Sequence, residues 1–188
     1  SVGVLSSLAS CAERGVDVDR ARRLAERAAK WMLARQRPVG DWRFPDAARS
    51  DGSVIPSRNA YCIGDAGTAV GLLRAGVAFR RADWREAAID AGLAAARRSF
   101  EGSGVVDCGV CHGAAGLALM FHRLGEASGE GEFFEARDRW LRELLSMRRA
   151  GKGIGGVRAW EHAEPGGRWV SSPGLLSGAA GVALVIAT

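Results

Sequence analysis

Cysteine and histidine are the side chains best suited to hold a soft metal, and three of them sit on copies of one small motif in this 188-residue chain. The motif is a glycine pair, spaced Gly-x-x-Gly, that opens a short apolar helix. Its copies read Cys62-Ile63-Gly64-Asp65-Ala66-Gly67, Cys111-His112-Gly113-Ala114-Ala115-Gly116 and Ser177-Gly178-Ala179-Ala180-Gly181. Two copies carry soft ligands just ahead of the first glycine, where a helix begins and side chains can point toward a common centre. Cys62, Cys111 and His112 are therefore a candidate zinc site. A zinc held by three protein ligands keeps a fourth position for water or substrate, which is the arrangement of chemistry rather than of a structural staple.

The remaining groups of this kind read differently. Cys108 and Cys111 form a C-x-x-C, the spacing of a redox pair or of half a structural zinc site. No βαβ pattern surrounds it and His112 follows the second cysteine, so Cys108 reads as a neighbour in the loop. Cys11 lies on an apolar helix as small core filler. His122 falls on an amphipathic position as a core or surface histidine, whereas His162 stands in a tryptophan-bearing loop and is a candidate for substrate contact. Trp160 and Trp169 either grip apolar side chains of a peptide or pack the loop. Asp65, inside the first glycine pair, is expected to cap the helix that follows.

Almost every element that must position these groups is a helix, of two alternating kinds. Short, small-residue apolar helices are expected over Val2 to Cys11, Ala66 to Phe79, Ala114 to Leu124 and Ala179 to the end. Longer amphipathic helices are expected over Val18 to Gln36, Asp83 to Phe100 and Gly131 to Arg149, with Asp17 or Asp19, and Asp83, as N-caps. Helices apolar nearly all round belong inside and helices with a charged stripe outside, so the alternation predicts an inner ring wrapped by an outer one. Two long connections, Arg37 to Asn59 and Ala150 to Leu176, hold all five prolines with Trp42, Trp160 and Trp169. Loops of this length in a compact domain usually serve function or cover a site. Glycine opens the inner helices because, lacking Cβ, it lets helix ends approach closely; for Gly178 and Gly181 packing is the whole role.

The totals fit one domain with a real core. Hydrophobic residues make up 47% and charged residues 25%, ordinary for a globular protein, so the 26 glycines stand out and are explained by the turns and the stretch from Gly151 to Gly167. A net charge of +5 permits an acidic partner. Nucleic acid is not expected. The arginines sit beside acidic residues, as in Asp19-Arg20-Ala21-Arg22-Arg23 with Glu26, and no aromatic-basic interleaving is seen. No apolar run reaches the roughly 20 residues of a membrane span. Four cysteines without a signal peptide point to a reducing compartment, the cytoplasm. The chain starts at once in Ser1-Val2-Gly3-Val4-Leu5 and stops inside Val182-Ala183-Leu184-Val185-Ile186, so both ends read as cut.

Tyr61-Cys62-Ile63-Gly64, Cys111-His112-Gly113, the glycine pairs, Arg58 four residues ahead of Cys62, and the closing Leu175-Leu176-Ser177-Gly178-Ala179-Ala180-Gly181 together resemble the lanthionine synthetase C-like cyclase family. The resemblance covers nearly the whole chain. It implies an all-α fold, an α/α toroid of inner and outer helices, here a partial ring: residues 1–188 as the C-terminal part of a single cyclase domain, truncated at both ends. It implies one Zn2+ on Cys62, Cys111 and His112 at the mouth of the inner ring. It also implies addition of a peptide cysteine thiol across dehydroalanine or dehydrobutyrine, closing a lanthionine or methyllanthionine ring in a lantibiotic-type precursor.

Residue chemistry agrees with that reading. A free thiol has a pKa of about 8.5, and zinc would make it a thiolate at neutral pH. Arg58, a fixed cation near Cys62, is expected to stabilise the enolate that addition builds, and cannot serve as the acid. The resemblance places the proton-donating histidine in a motif whose second glycine is Gly3, just ahead of Ser1. Tyr61 keeps a stacking or hydrogen-bonding role toward substrate, while Ile63 departs from the aromatic residue often found there. The expected partners are a dehydrated precursor peptide and its dehydratase. Two alternatives stay open: a related zinc protein that adds glutathione to dehydroamino acids, and a non-catalytic toroid that binds peptides as a scaffold.

Overall fold

The computed structural model describes residues 2–161 and 166–188. Among the described residues there are eight helices: α1 (Val2–Glu13), α2 (Val18–Leu33), α3 (Gly64–Ala78), α4 (Ala82–Arg97), the single turn α5 (Phe100–Ser103), α6 (Ala114–Ser128), α7 (Gly131–Met147) and α8 (Ala179–Ala187).

Residue type sorts them into two layers. α2 buries Ala21, Ala25, Ala29 and Met32, and α7 buries Phe133, Ala136, Trp140 and Leu144, three- and four-residue spacings that leave the opposite face charged and wet. α3 and α6 instead bury residues around most of their circumference, largely Gly, Ala and Leu. The inner helices pack in succession, α1 on α3, α3 on α6 and α6 on α8, and the outer helices α2, α4 and α7 back α1, α3 and α6 in turn. This is the inner-and-outer layering of an α/α toroid, as the alternation predicts. Between the layers the aromatic filler is buried; Phe121 of α6 stacks on Phe133 of α7 with centroids 6.3 Å apart.

Two expectations about local structure need correction. The long connections are not wholly irregular: β1 (Ala47–Ala48) pairs antiparallel with β2 (Val54–Ile55), and β3 (Ala159–Glu161) with β4 (Arg168–Val170). Strands of two or three residues are too short to show a period-two pattern in sequence. The aspartate caps also differ. Asp17 does occupy the N-cap of α2, but in a left-handed conformation at φ 40° and without a side-chain cap bond. Asp83 lies inside the first turn of α4, where its carboxylate takes two bonds from Arg81, at 2.9 and 2.7 Å.

Candidate metal centre

The three glycine turns are built alike. Ahead of α3, α6 and α8 the chain folds back over the helix start, and a Cβ on any of the six glycines would come within 3.0 Å of the carbonyl six residues earlier. Gly64 meets Arg58, Gly113 meets Asp107 and Gly178 meets Ser172; Gly67 meets Tyr61, Gly116 meets Val110 and Gly181 meets Leu175. Of these glycines Gly64 alone has a positive φ, so at the other five the need is for space rather than conformation. The overlying segment also satisfies helix-start amides that would lack partners. Ala114 N donates to Asp107 O at 3.0 Å, Ala179 N to Ser172 O at 2.9 Å, and Asp65 N to Ser57 Oγ at 3.0 Å.

Backbone bonds then tie turn to turn. Tyr61 N donates to Cys111 O at 3.0 Å, and both Val110 N and Cys111 N donate to Leu176 O at 2.8 Å. Counting back from the second glycine makes Cys62, Cys111 and Leu176 equivalent, and likewise Ile63, His112 and Ser177. The first tie therefore sets Cys62 beside Cys111 although 49 positions separate them in sequence.

The result is a cluster of three soft donors. His112 Nε2 lies 3.2 Å from Cys62 Sγ and 3.7 Å from Cys111 Sγ, and the three ligand atoms all fall within 4.8 Å of one another. Bonds of about 2.3 Å to sulfur and about 2.0–2.1 Å to nitrogen in a tetrahedron give nitrogen-to-sulfur edges of about 3.5 Å, so the residues fit zinc. Cys62 and His112 are exposed and Cys111 is half-buried, which leaves the cluster reachable from outside. Without a cation the group is electrostatically uneasy. Burial first, and then neighbouring Cys62, push the Cys111 thiol up to about 11, against the field of Arg58. A divalent ion held by the three donors would reverse that balance, because a coordinating thiol is deprotonated outright.

The sequence profile of the family described as lanthionine synthetase C-like protein matches residues 1–188. The chain belongs to this family. A solved structure titled "Nisin cyclase" shares the fold with a TM-score of 0.72 at 18% identity, over 98% of this chain and 43% of that one. The LanC-like chain thus spans less than half the length of that structure. No protein of curated function matches it in sequence. No helix among the described residues is long and apolar enough to cross a membrane.

Around the cluster, the other expected residues of the LanC-like chain fall as follows. Arg58 has a side chain one-third exposed, at 33%; its amide donates to Asp46 Oδ1 at 3.0 Å and its Nε lies 3.8 Å from Asp46 Oδ2. Its positive charge works against the rise of the Cys111 thiol. Tyr61 is exposed and lines a cavity of about 510 Å³ between α3 and α6, together with Leu73, Leu119 and Met120. His162 lies outside the described residues. His122 sits apart on α6, edge-on to Phe134, with Nε2 3.6 Å from Glu126 Oε1. Cys108 is buried against Leu144 O, and burial pushes its thiol up to about 11, so it stays out of the trio. Trp160 and Trp169 face each other across the β3–β4 pair with centroids 5.2 Å apart, and Arg158 lies over Trp169.

Asp65 is a correction: its side chain caps no helix. It is fully buried and accepts from Arg43 N at 3.0 Å, Phe44 N at 2.6 Å and Arg98 Nη2 at 2.6 Å, which pins the first long loop to the start of α3. Burial pushes its carboxyl above the ordinary range, while those amides and Arg98 pull the other way. Arg98 extends the clamp by donating to Ser57 O and Asp41 O. Sequence reading missed Arg98 and Ser57, since nothing in an arginine closing an outer helix, or in a loop serine, signals the partner across the fold.

Asp107 was missed as well. Its Oδ1 accepts from Gly109 N at 2.9 Å and its Oδ2 from Trp160 N at 2.9 Å, while its carbonyl takes Ala114 N. One residue therefore shapes the Cys111-His112 turn and docks β3 against it. The signal available in sequence was its place, six residues ahead of Gly113.

Proposed function

We propose that this protein is a zinc-dependent cyclase that forms thioether rings, adding a peptide cysteine to dehydroalanine or dehydrobutyrine of a dehydrated precursor peptide in the cytoplasm. The observation that carries the reading is the convergence of Cys62, Cys111 and His112, three donors from two turns, within one coordination sphere. When bound there, zinc supplies the Lewis acidity that makes a thiol a thiolate at neutral pH. The chain's own residues do the rest. Exposed Cys62 and His112 leave the approach open to a peptide. Arg58, whose Nε lies 3.8 Å from Asp46 Oδ2, offers a cation for the negative charge that develops when the alkene is attacked. A guanidinium keeps its charge throughout the working pH range of a protein, so an arginine donates hydrogen bonds and not the proton. The reaction balances without a redox partner: sulfur bonds to the β-carbon, and the thiol's proton equivalent is returned at the α-carbon.

Metal analysis by mass spectrometry is expected to find one zinc per chain, and less than a tenth of that in Cys62→Ala. Incubation with a dehydrated peptide carrying one cysteine is expected to leave its mass unchanged while removing its reactivity toward N-ethylmaleimide. A glutathione adduct would assign the chemistry to glutathione addition instead. Peptide binding with no loss of thiol, equal in wild type and Cys111→Ala, would leave a scaffold.

A further inference from the structure

Cys62 also lines a second cavity, of about 370 Å³, within the roughly 300–1,000 Å³ of small-ligand pockets. Trp31 and Met32 from the last turns of α2, Phe44 and Pro45 from the first long loop, and Ile63 beside Cys62 make its apolar lining. Met32 and Phe44 are buried, whereas Trp31 is 50% exposed, an indole without enough protein to cover it. One face of the ring carries the Arg35 guanidinium, 3.9 Å from the centroid, which also donates to Trp31 O at 2.8 Å.

Resting on the cyclase reading, we propose that this cavity is the subsite for a residue flanking the reacting cysteine of the peptide, and that it takes an aromatic or branched aliphatic side chain. A thiol placed beside Cys62 Sγ brings its own backbone with it. Successive Cα atoms are 3.8 Å apart, so a neighbouring side chain falls within reach of the wall that Cys62 shares with the cavity. The charged groups there are already engaged, Arg35 on Trp31 and Asp46 on the Arg58 amide and Nε. What the cavity offers a ligand is therefore apolar area, and an indole is the side chain with most of it to give.

The test uses fluorescein-labelled peptides Gly-Phe-Cys-Phe-Gly, Gly-Gly-Cys-Gly-Gly and Gly-Phe-Ser-Phe-Gly, with affinity read by fluorescence anisotropy on the zinc-loaded protein. The phenylalanine peptide is expected to bind at least about tenfold tighter than the glycine peptide. Trp31→Ala should abolish that preference with zinc content unchanged, and Trp31→Phe should restore it. Ala47→Trp, on an exposed strand position of the cavity lining, should abolish it by filling the space. Equal affinity for the first two peptides in wild type, or a preference that survives both Trp31→Ala and Ala47→Trp, overturns the subsite. A thiol preference without an aromatic one overturns the subsite and leaves the cyclase reading standing. An aromatic preference with equal affinity for the cysteine and serine peptides overturns the cyclase reading, and with it the assignment to a flanking residue.

Discussion

The second and third glycine turns, residues 107–116 and 172–181, have the same backbone and different chemistry. Each folds a carbonyl over a helix start, and each begins with a side chain that accepts the amide two residues on: Asp107 Oδ1 from Gly109 at 2.9 Å, and Ser172 Oγ from Gly174 at 3.3 Å. Beyond that they diverge. Cys111 and His112 of one are Leu176 and Ser177 of the other, and the second oxygen of Asp107 holds Trp160, a task the single hydroxyl of Ser172 does not perform. The repeat therefore provides a frame, and the cysteine and histidine donors are an addition to two of its copies. The third copy serves the other two through its backbone, since Leu176 O accepts both Val110 N and Cys111 N.

The comparison breaks most severely at the ligands. Cys111→Ala is expected to remove stoichiometric zinc while leaving the far-ultraviolet dichroism unchanged, because the Cys111 backbone amide and carbonyl, which do the tying, survive the change. A site with three protein donors has none to spare, so losing one of them is decisive. Next come the shared glycines. Gly116→Ala and Gly181→Ala each set a methyl against backbone oxygen, at Val110 and Leu175, which has no flexible side-chain end to give way. Overpacking of this kind costs about 1–3 kcal/mol or more, and urea titration should find the two variants destabilised alike. A Gly181→Ala protein as stable as wild type would show that the third turn is not the structural equal of the second.

Asp107→Asn and Ser172→Ala separate frame from function at smaller cost. An asparagine that keeps its oxygen on Gly109 N turns an amide donor toward Trp160 N, so the bond to β3 is lost while the turn's cap remains. Groups that orient metal ligands typically change affinity by about 10–100-fold, and competition with a chromogenic chelator should place Asp107→Asn in that range. Ser172→Ala should lower stability by about 1 kcal/mol without moving zinc affinity.

Much of this frame was legible in sequence because it is written in spacing. Glycine pairs three residues apart, and apolar runs alternating with Ala21, Ala25, Ala29 and Met32 or Phe133, Ala136, Trp140 and Leu144, are local patterns with a single geometric meaning. The convergence of Cys62, Cys111 and His112 was legible for the same reason, since a repeat sets the equivalent Cys62 and Cys111 side by side and His112 follows the second of them. Asp65, Asp107, Arg98 and Trp31 were not, because their roles are set by partners 20 to 50 or more residues away or by exposure. A carboxylate opening an inner helix reads as a cap until Arg43, Phe44 and Arg98 are seen to close on it. Trp160 and Trp169 drew attention by their loop, while the tryptophan beside Cys62's cavity sat inside an amphipathic helix where periodicity gave it no distinction.

The smallest predicted effect is the sharpest test of a backbone-only role for the third turn. Leu176 stands where the second turn has Cys111, yet its side chain is 56% exposed and its contribution to the centre is a carbonyl that alanine also possesses. Leu176→Ala should therefore leave zinc content unchanged and stability within about 0.5 kcal/mol, the usual range for a surface substitution. The contrast with Gly181→Ala, five positions on, is then between a truncation that spares the tie and a single added carbon aimed at the segment that carries it. Loss of zinc in Leu176→Ala would mean that the leucine side chain, and not the peptide bond, holds the Cys111 turn in register.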